Sequence, residues 1–108
     1  MAKPDHLQGA LELLVLKRLR RGATHGFAIA AFIRSSSDDV LRVEAGSLYP
    51  ALHRMTEAGL LKAEWRISDA GRRARVYELT AKGRRKLEAA ERRWLSVSAA
   101  VAKVLRTA

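Results

Sequence analysis

Apolar residues recur along this chain at helical spacing, then in strict alternation, then at helical spacing again. In residues 7–21, "LQGALELLVLKRLRR", Leu7, Leu11, Leu14, Val15, Leu16 and Leu19 form one wide apolar face, and the run ends in a basic turn before Gly22. That pattern predicts a first helix. In "HGFAIAAFIRSS" the apolar positions are Phe27, Ile29, Ala30, Phe32 and Ile33, which predicts a second helix stopped by the serine and aspartate cluster at 35–39. "VLRV" at 40–43 is β-branched and long enough for a stub of strand.

The stretch 43–61, "VEAGSLYPALHRMTEAGLL", reads as a third helix with Leu48, Ala51, Leu52 and Met55 on its buried face, although Gly46 and Pro50 stand near its start. If the helix begins near Ala45 to Ser47, both fall in or beside its first turn, where a missing N–H costs little and the free amides attract anions. Its other face carries Ser47, Tyr49, His53 and Arg54, donors able to reach phosphates or base edges.

Beyond Gly59 the period changes. Leu61, Ala63, Trp65 and Ile67 alternate with Lys62, Glu64 and Arg66, "SDAGRR" has the composition of a turn, and "ARVYEL" alternates again, so residues 60–79 predict a β-hairpin with a basic tip. Thr80 is placed to cap a last helix reaching about residue 106, despite Gly83 near its start. Three helices, a hairpin and a fourth helix are the parts of a mainly α winged helix-turn-helix, with the third helix in the groove-reading position. Residues 1–79 would form the DNA-binding unit, and residues 80–108 a C-terminal dimerisation helix in the same compact body.

Charge sharpens this expectation. The 108 residues carry a formal +10 at neutral pH, and the segment from Lys62 to Lys86 holds nine Lys or Arg against Glu64, Asp69 and Glu78. Arg72, Arg73 and Arg75 in the "GRRAR" turn could lie along DNA phosphates or a minor groove. A purely structural dimer would not need such a tip. Isolated Tyr49 and Tyr77 disfavour the alternative of an RNA- or ribosome-associated winged helix, which would stack bases on clustered aromatics. An enzyme is disfavoured because His6, His25 and His53 are scattered and neither metal-ligand spacing nor a glycine-rich phosphate loop occurs. No cofactor is implied. The lack of cysteine excludes disulfides, zinc fingers and thiol chemistry, and with an N-terminus unlike a signal peptide or membrane span it points to a soluble cytoplasmic protein without membrane contact.

In the last helix Leu87, Ala90, Trp94, Val97, Val101 and Val104 fall at alternating spacings of three and four, a heptad seam. The seam could fold back on its own subunit or pair with a second copy. Pairing is favoured because the other helices and the wing already close a core. Trp94 reads first as core, although an aromatic at a dimer seam can also stack on a flat guest.

The ordered set "LELLVLKRL", "THGFAIAAFI", "AGSLYPALHRMTEAGLL", "EWRISDAGRRARVYELTAKGRRKL" and a tryptophan-containing last helix resembles the PadR-like transcriptional regulators over nearly the whole chain. "GSLYPAL" is its most specific piece, followed by Tyr77, Leu79, Thr80 and Gly83. The resemblance implies a homodimeric winged-helix repressor on a dyad-symmetric double-stranded operator, often responding to a small aromatic effector, here near Trp94. It also implies Tyr49 and its neighbours on DNA, "GRRAR" as wing tip and dimerisation through the last helix. Where the family commonly has tyrosine after the His-Gly pair, this chain has Phe27, which can only pack.

Overall fold

A computed structural model describes the backbone of residues 5–108 and the side chains of residues 9–108. The elements are α1 (Asp5–Leu19), β1 (Thr24–His25), α2 (Gly26–Ser36), α3 (Ala45–Glu57), β2 (Leu61–Ile67), β3 (Arg73–Leu79) and α4 (Ala81–Thr107). The side chain of Leu7, expected on the first apolar face, lies outside the described residues.

The core is assembled from the faces that the periodicity marks. Val15, Leu16 and Leu19 of α1 meet Ile29 and Ile33 of α2 and Leu48, Leu52 and Met55 of α3, with Leu60, Leu61 and Tyr77 closing the cluster from the hairpin. Each large aliphatic side chain removed from water contributes about 1.5–3 kcal/mol before entropy is counted. Leu87, placed in the dimer seam by its spacing, is instead fully buried in this same cluster. The exposed apolar stripe of α4 therefore begins beyond it, because the first two turns of α4 pack on the body of the chain.

The sheet differs from expectation in one strand. Residues 40–43 form no strand; the third strand is β1, whose Thr24 and His25 stand opposite Tyr77 and Val76 of β3, giving the antiparallel order β1-β3-β2. Two residues are too few for an alternation to be visible, and pairing alone makes them a strand. Val40 is exposed, and the chain just before it turns through Asp38 and Asp39 at positive φ, a conformation that aspartate tolerates better than most residues. Guanidinium groups of Arg34 and Arg42 both hold the Asp39 carboxylate, which keeps its pKa below the usual value and ties the end of α2 to the approach to α3.

Phe27 does not pack in the core. It is 75% exposed on α2, with its ring centroid 6.5 Å from that of His25. His25 caps the helix instead, its Nδ1 accepting the Ala28 amide at 3.2 Å.

The junction between hairpin and last helix is tight. The Thr80 hydroxyl accepts the Gly83 amide at 3.0 Å and donates toward the carbonyls of Gly59 and Leu60, while the Thr80 amide donates to Leu60 at 3.1 Å. Lys82 Nζ donates to the Ala58 carbonyl at 2.7 Å, placing a cation at the C-terminal end of α3. Past this junction α4 continues along α1 and beyond the body of the molecule, whose longest extent is 56 Å against 30 and 29 Å.

Candidate nucleic-acid interface

α3 buries Leu48, Ala51, Leu52 and Met55, so the turn geometry points Gly46, Pro50, His53 and Glu57 the opposite way. The helix begins at Ala45, with Glu44 in extended conformation before it and the Ser47 and Leu48 amides donating to the Glu44 carbonyl at 3.0 and 2.9 Å. Pro50 is thus the sixth helical residue, not part of the first turn. Having no N–H, it returns no hydrogen bond to the carbonyl four residues back, and that carbonyl belongs to Gly46 on the same exposed face. The Gly46 carbonyl is thereby left without its usual donor four residues on.

The other side chains expected on this face are spread around it. His53 Nε2 and Glu57 Oε1 stand 2.7 Å apart in the open. Arg54 lies on the α1 side, its guanidinium 3.8 Å from the Glu12 carboxylate. Ser47 is half-buried. Tyr49 occupies the opposite edge, where its ring and hydroxyl lie against Gly26, next to the β1 strand that pairs with the wing. There the Tyr77 phenol is buried, which raises its pKa above the ordinary value; Tyr49 adds to the rise and Arg75 opposes it.

The wing is a hairpin in which Leu61 to Ile67 face Leu79 to Arg73 in register. Its turn is closed by the Gly71 amide on the Ser68 carbonyl and the Ser68 amide on the Arg72 carbonyl, both at 2.8 Å, with Gly71 at φ 80°. Arg72 is exposed at the turn, while Arg73 and Arg75 lie against the ring of Trp65 at 4.7 and 5.3 Å from its centroid. Trp65 and Ile67 share the face of Leu61 but are exposed, because the hairpin runs past the edge of the body. Sequence periodicity marks their face but not where the core ends.

A second candidate surface lies on α4. Trp94, Val97, Val101 and Val104 follow one another along the helix with 46–63% of their surfaces exposed, and Leu95 and Leu105 widen the stripe. Two grooves between α1 and α4 flank Trp94. One, of about 380 Å³, is lined by Leu13, Leu14, Leu41 and Leu95, and the other, of about 360 Å³, by Ala90, Arg93 and Val97. Lys17 and Glu91 join the two helices beside the first at 3.0 Å. Among the described residues no helix is long and apolar enough to cross a membrane.

Comparison with known proteins matches this arrangement. The Transcriptional regulator PadR-like family model matches residues 15–89. Transcriptional regulator Rv3488 of Mycobacterium tuberculosis is 39% identical over 77 residues, which span 71% of this chain and 68% of that protein. A solved PadR family transcriptional regulator from Eggerthella lenta is 33% identical, covers 95% of this chain and 88% of its own, and superposes with a TM-score of 0.75. A transcriptional regulator from Clostridium thermocellum shares the fold at 22% identity, with a TM-score of 0.82 over 93% of this chain and 97% of its own.

Proposed function

The chain belongs to the PadR-like family of transcriptional regulators, and from that premise we propose that it is a homodimeric repressor that binds a dyad-symmetric double-stranded operator in the cytoplasm. The observation that carries this reading is the proximity of two exposed surfaces. Tyr49, at the edge of the outer face of α3, lies near enough to Tyr77 to affect its phenol, and Tyr77 shares a strand face with Arg73 and Arg75, which supports a helix in the major groove bringing the wing to the neighbouring phosphates. Residues 1–79 supply one such surface. The exposed stripe of α4, from Trp94 to Val104, supports pairing of two copies so that two half-sites are read. The grooves beside Trp94 are of a size to receive a small aromatic effector.

In this reading His53 and Tyr49 face base edges or phosphates, Ser47 and Arg54 flank them, and Arg72, Arg73 and Arg75 neutralise the backbone. Anisotropy titration of the duplex immediately upstream of the chain's own gene, competed with mixed-sequence duplex, tests it. Wild type should prefer the upstream duplex. His53→Ala should reduce that preference by about 1–3 kcal/mol, and Arg54→Ala by less because Glu12 already competes for its guanidinium. Equal affinity for both duplexes would refute sequence-specific repression.

A further inference from the structure

The two faces of the wing are chemically unlike. Strand alternation puts Lys62, Glu64 and Arg66 with Ala74, Val76 and Glu78 on one face, and Ala63, Trp65 and Ile67 with Arg73, Arg75 and Tyr77 on the other. On the first face the charges cancel: Arg66 Nε donates to Glu64 Oε1 at 2.7 Å, holding that carboxyl below its usual pKa, and Lys62 stands opposite Glu78. The strand positions of the second face carry no carboxylate. From the buried Tyr77, which Tyr49 of α3 lies near enough to affect, this face runs outward through Arg75 and Trp65 to Arg73 and Ile67.

An indole 55% exposed near the end of a hairpin gains little from burial, so its contacts must account for it. Trp65 stands directly opposite Arg75 and diagonal to Arg73, and both guanidinium groups lie over its ring, at 5.3 and 4.7 Å from the centroid. A guanidinium over a ring keeps the N–H groups at its edges; Arg75 turns one toward the Tyr77 phenol, and the others remain able to donate. A carboxylate partner would take up those edges and cancel the charge, as Glu64 does for Arg66.

We propose that Trp65 is a positioning residue for DNA binding: it holds Arg73 and Arg75 as a preset pair on the α3 side of the wing, where their remaining N–H groups can donate to backbone phosphates. This rests on the DNA-binding reading above. Ordering a free arginine on binding has an entropic cost, so two arginines already held should favour the complex by about tenfold in Kd. Loss of the ring releases them but does not remove them. The affinity at every salt concentration should fall, while the slope of log K against log salt, which counts the phosphates contacted, should stay.

The test compares wild type, Trp65→Leu and Trp65→Phe on a labelled mixed-sequence duplex of about three helical turns, over a salt series with thermal melting in parallel. Trp65→Leu should bind about tenfold more weakly with the wild-type salt slope, whereas Trp65→Phe, which keeps a π face, should stay within about threefold of wild type. Wild-type affinity in Trp65→Leu, equal weakness in both variants, or a lowered slope in Trp65→Leu would overturn the assignment, the last because it would mean the wing itself had collapsed. If Trp65→Leu does not fold, tryptophan emission decides: adding the duplex should change a component present in wild type and missing from Trp65→Phe, and no such change overturns the proposal. A wild type that binds no duplex overturns the DNA-binding reading and this inference with it, and is told apart because its failure precedes any variant.

Discussion

A Cβ on Gly26 would stand 2.8 Å from Cε1 of Tyr49, so the tyrosine of α3 is seated directly on the backbone that opens α2. Nothing bulkier than hydrogen fits beneath that ring as it lies. Because the obstructing atoms are the far end of a half-exposed side chain, Gly26→Ala should displace the ring without unfolding the protein. Stability should stay within about 1 kcal/mol of wild type, the gain in helix propensity offsetting the steric clash. Duplex binding should weaken several-fold. Unaltered affinity with a displaced ring would remove Tyr49 from the interface.

Gly83 presents the opposite case. A Cβ there would fall 2.1 Å from the Leu60 carbonyl oxygen, a backbone atom that already accepts the Thr80 amide at 3.1 Å. Neither partner can retreat without opening the junction that seats α4. Gly83→Ala should therefore cost at least about 1–3 kcal/mol, read as a lower urea midpoint at unchanged m-value.

These two glycines show how far the sequence can be read. Helix faces, the hairpin and the Thr80 cap follow from periodicity and capping chemistry, because each depends on neighbours a few residues apart. Thr24 and His25 carry no strand signal of their own, since only Tyr77 and Val76, far along the chain, make them one. Phe27 and Leu87 depart from expectation for a related reason: spacing says which residues share a face but not where the body of the protein ends beneath it. In the candidate interface, His53 and Tyr49 fall on accessible faces as their spacing implies, whereas the Glu12 carboxylate beside Arg54 comes from another helix and has no local signal.

Tyr77 should make stability depend on alkaline pH. Burial raises its pKa in the folded state, while in the unfolded chain the phenol ionises near the ordinary value of about 10. Above that pH the unfolded state holds fewer protons than the folded one, so the stability contributed by the neutral phenol falls as pH rises. Below it, Tyr77 contributes no pH dependence. Tyr77→Phe should lose melting temperature less steeply than wild type above pH of about 10, and the difference between the two curves isolates this phenol from every other group.

The two faces of the wing should separate in a salt series. Replacing Arg72 and Arg73 by alanine should flatten log K against log salt by roughly 0.9 for each phosphate that is no longer neutralised. Arg66→Ala should leave the slope near wild type, since Glu64 already neutralises that guanidinium on the opposite face. Equal effects at both faces would mean that the wing acts only through its net charge.

Dimerisation is the condition for reading two half-sites, and the exposed stripe of α4 allows a clean test of it. Val101 is 52% exposed in the single chain, so a carboxylate there meets water and leaves the subunit folded. If the stripe pairs with a second copy, Val101→Glu would bury that charge without a partner, a cost of several kcal/mol, and the monomer should prevail. Leu87, sealed in the core, would be the wrong site for this experiment because its substitution would unfold the subunit. Sedimentation at micromolar concentration decides: wild type should run as a dimer and Val101→Glu as a monomer with the same melting behaviour at high dilution. Trp94, 46% exposed in the single chain, should shift its emission to the red as the dimer separates, measured in a Trp65→Phe background that removes the second indole. A monomeric wild type, or a variant as dimeric as its parent, would leave α4 without the role assigned to it.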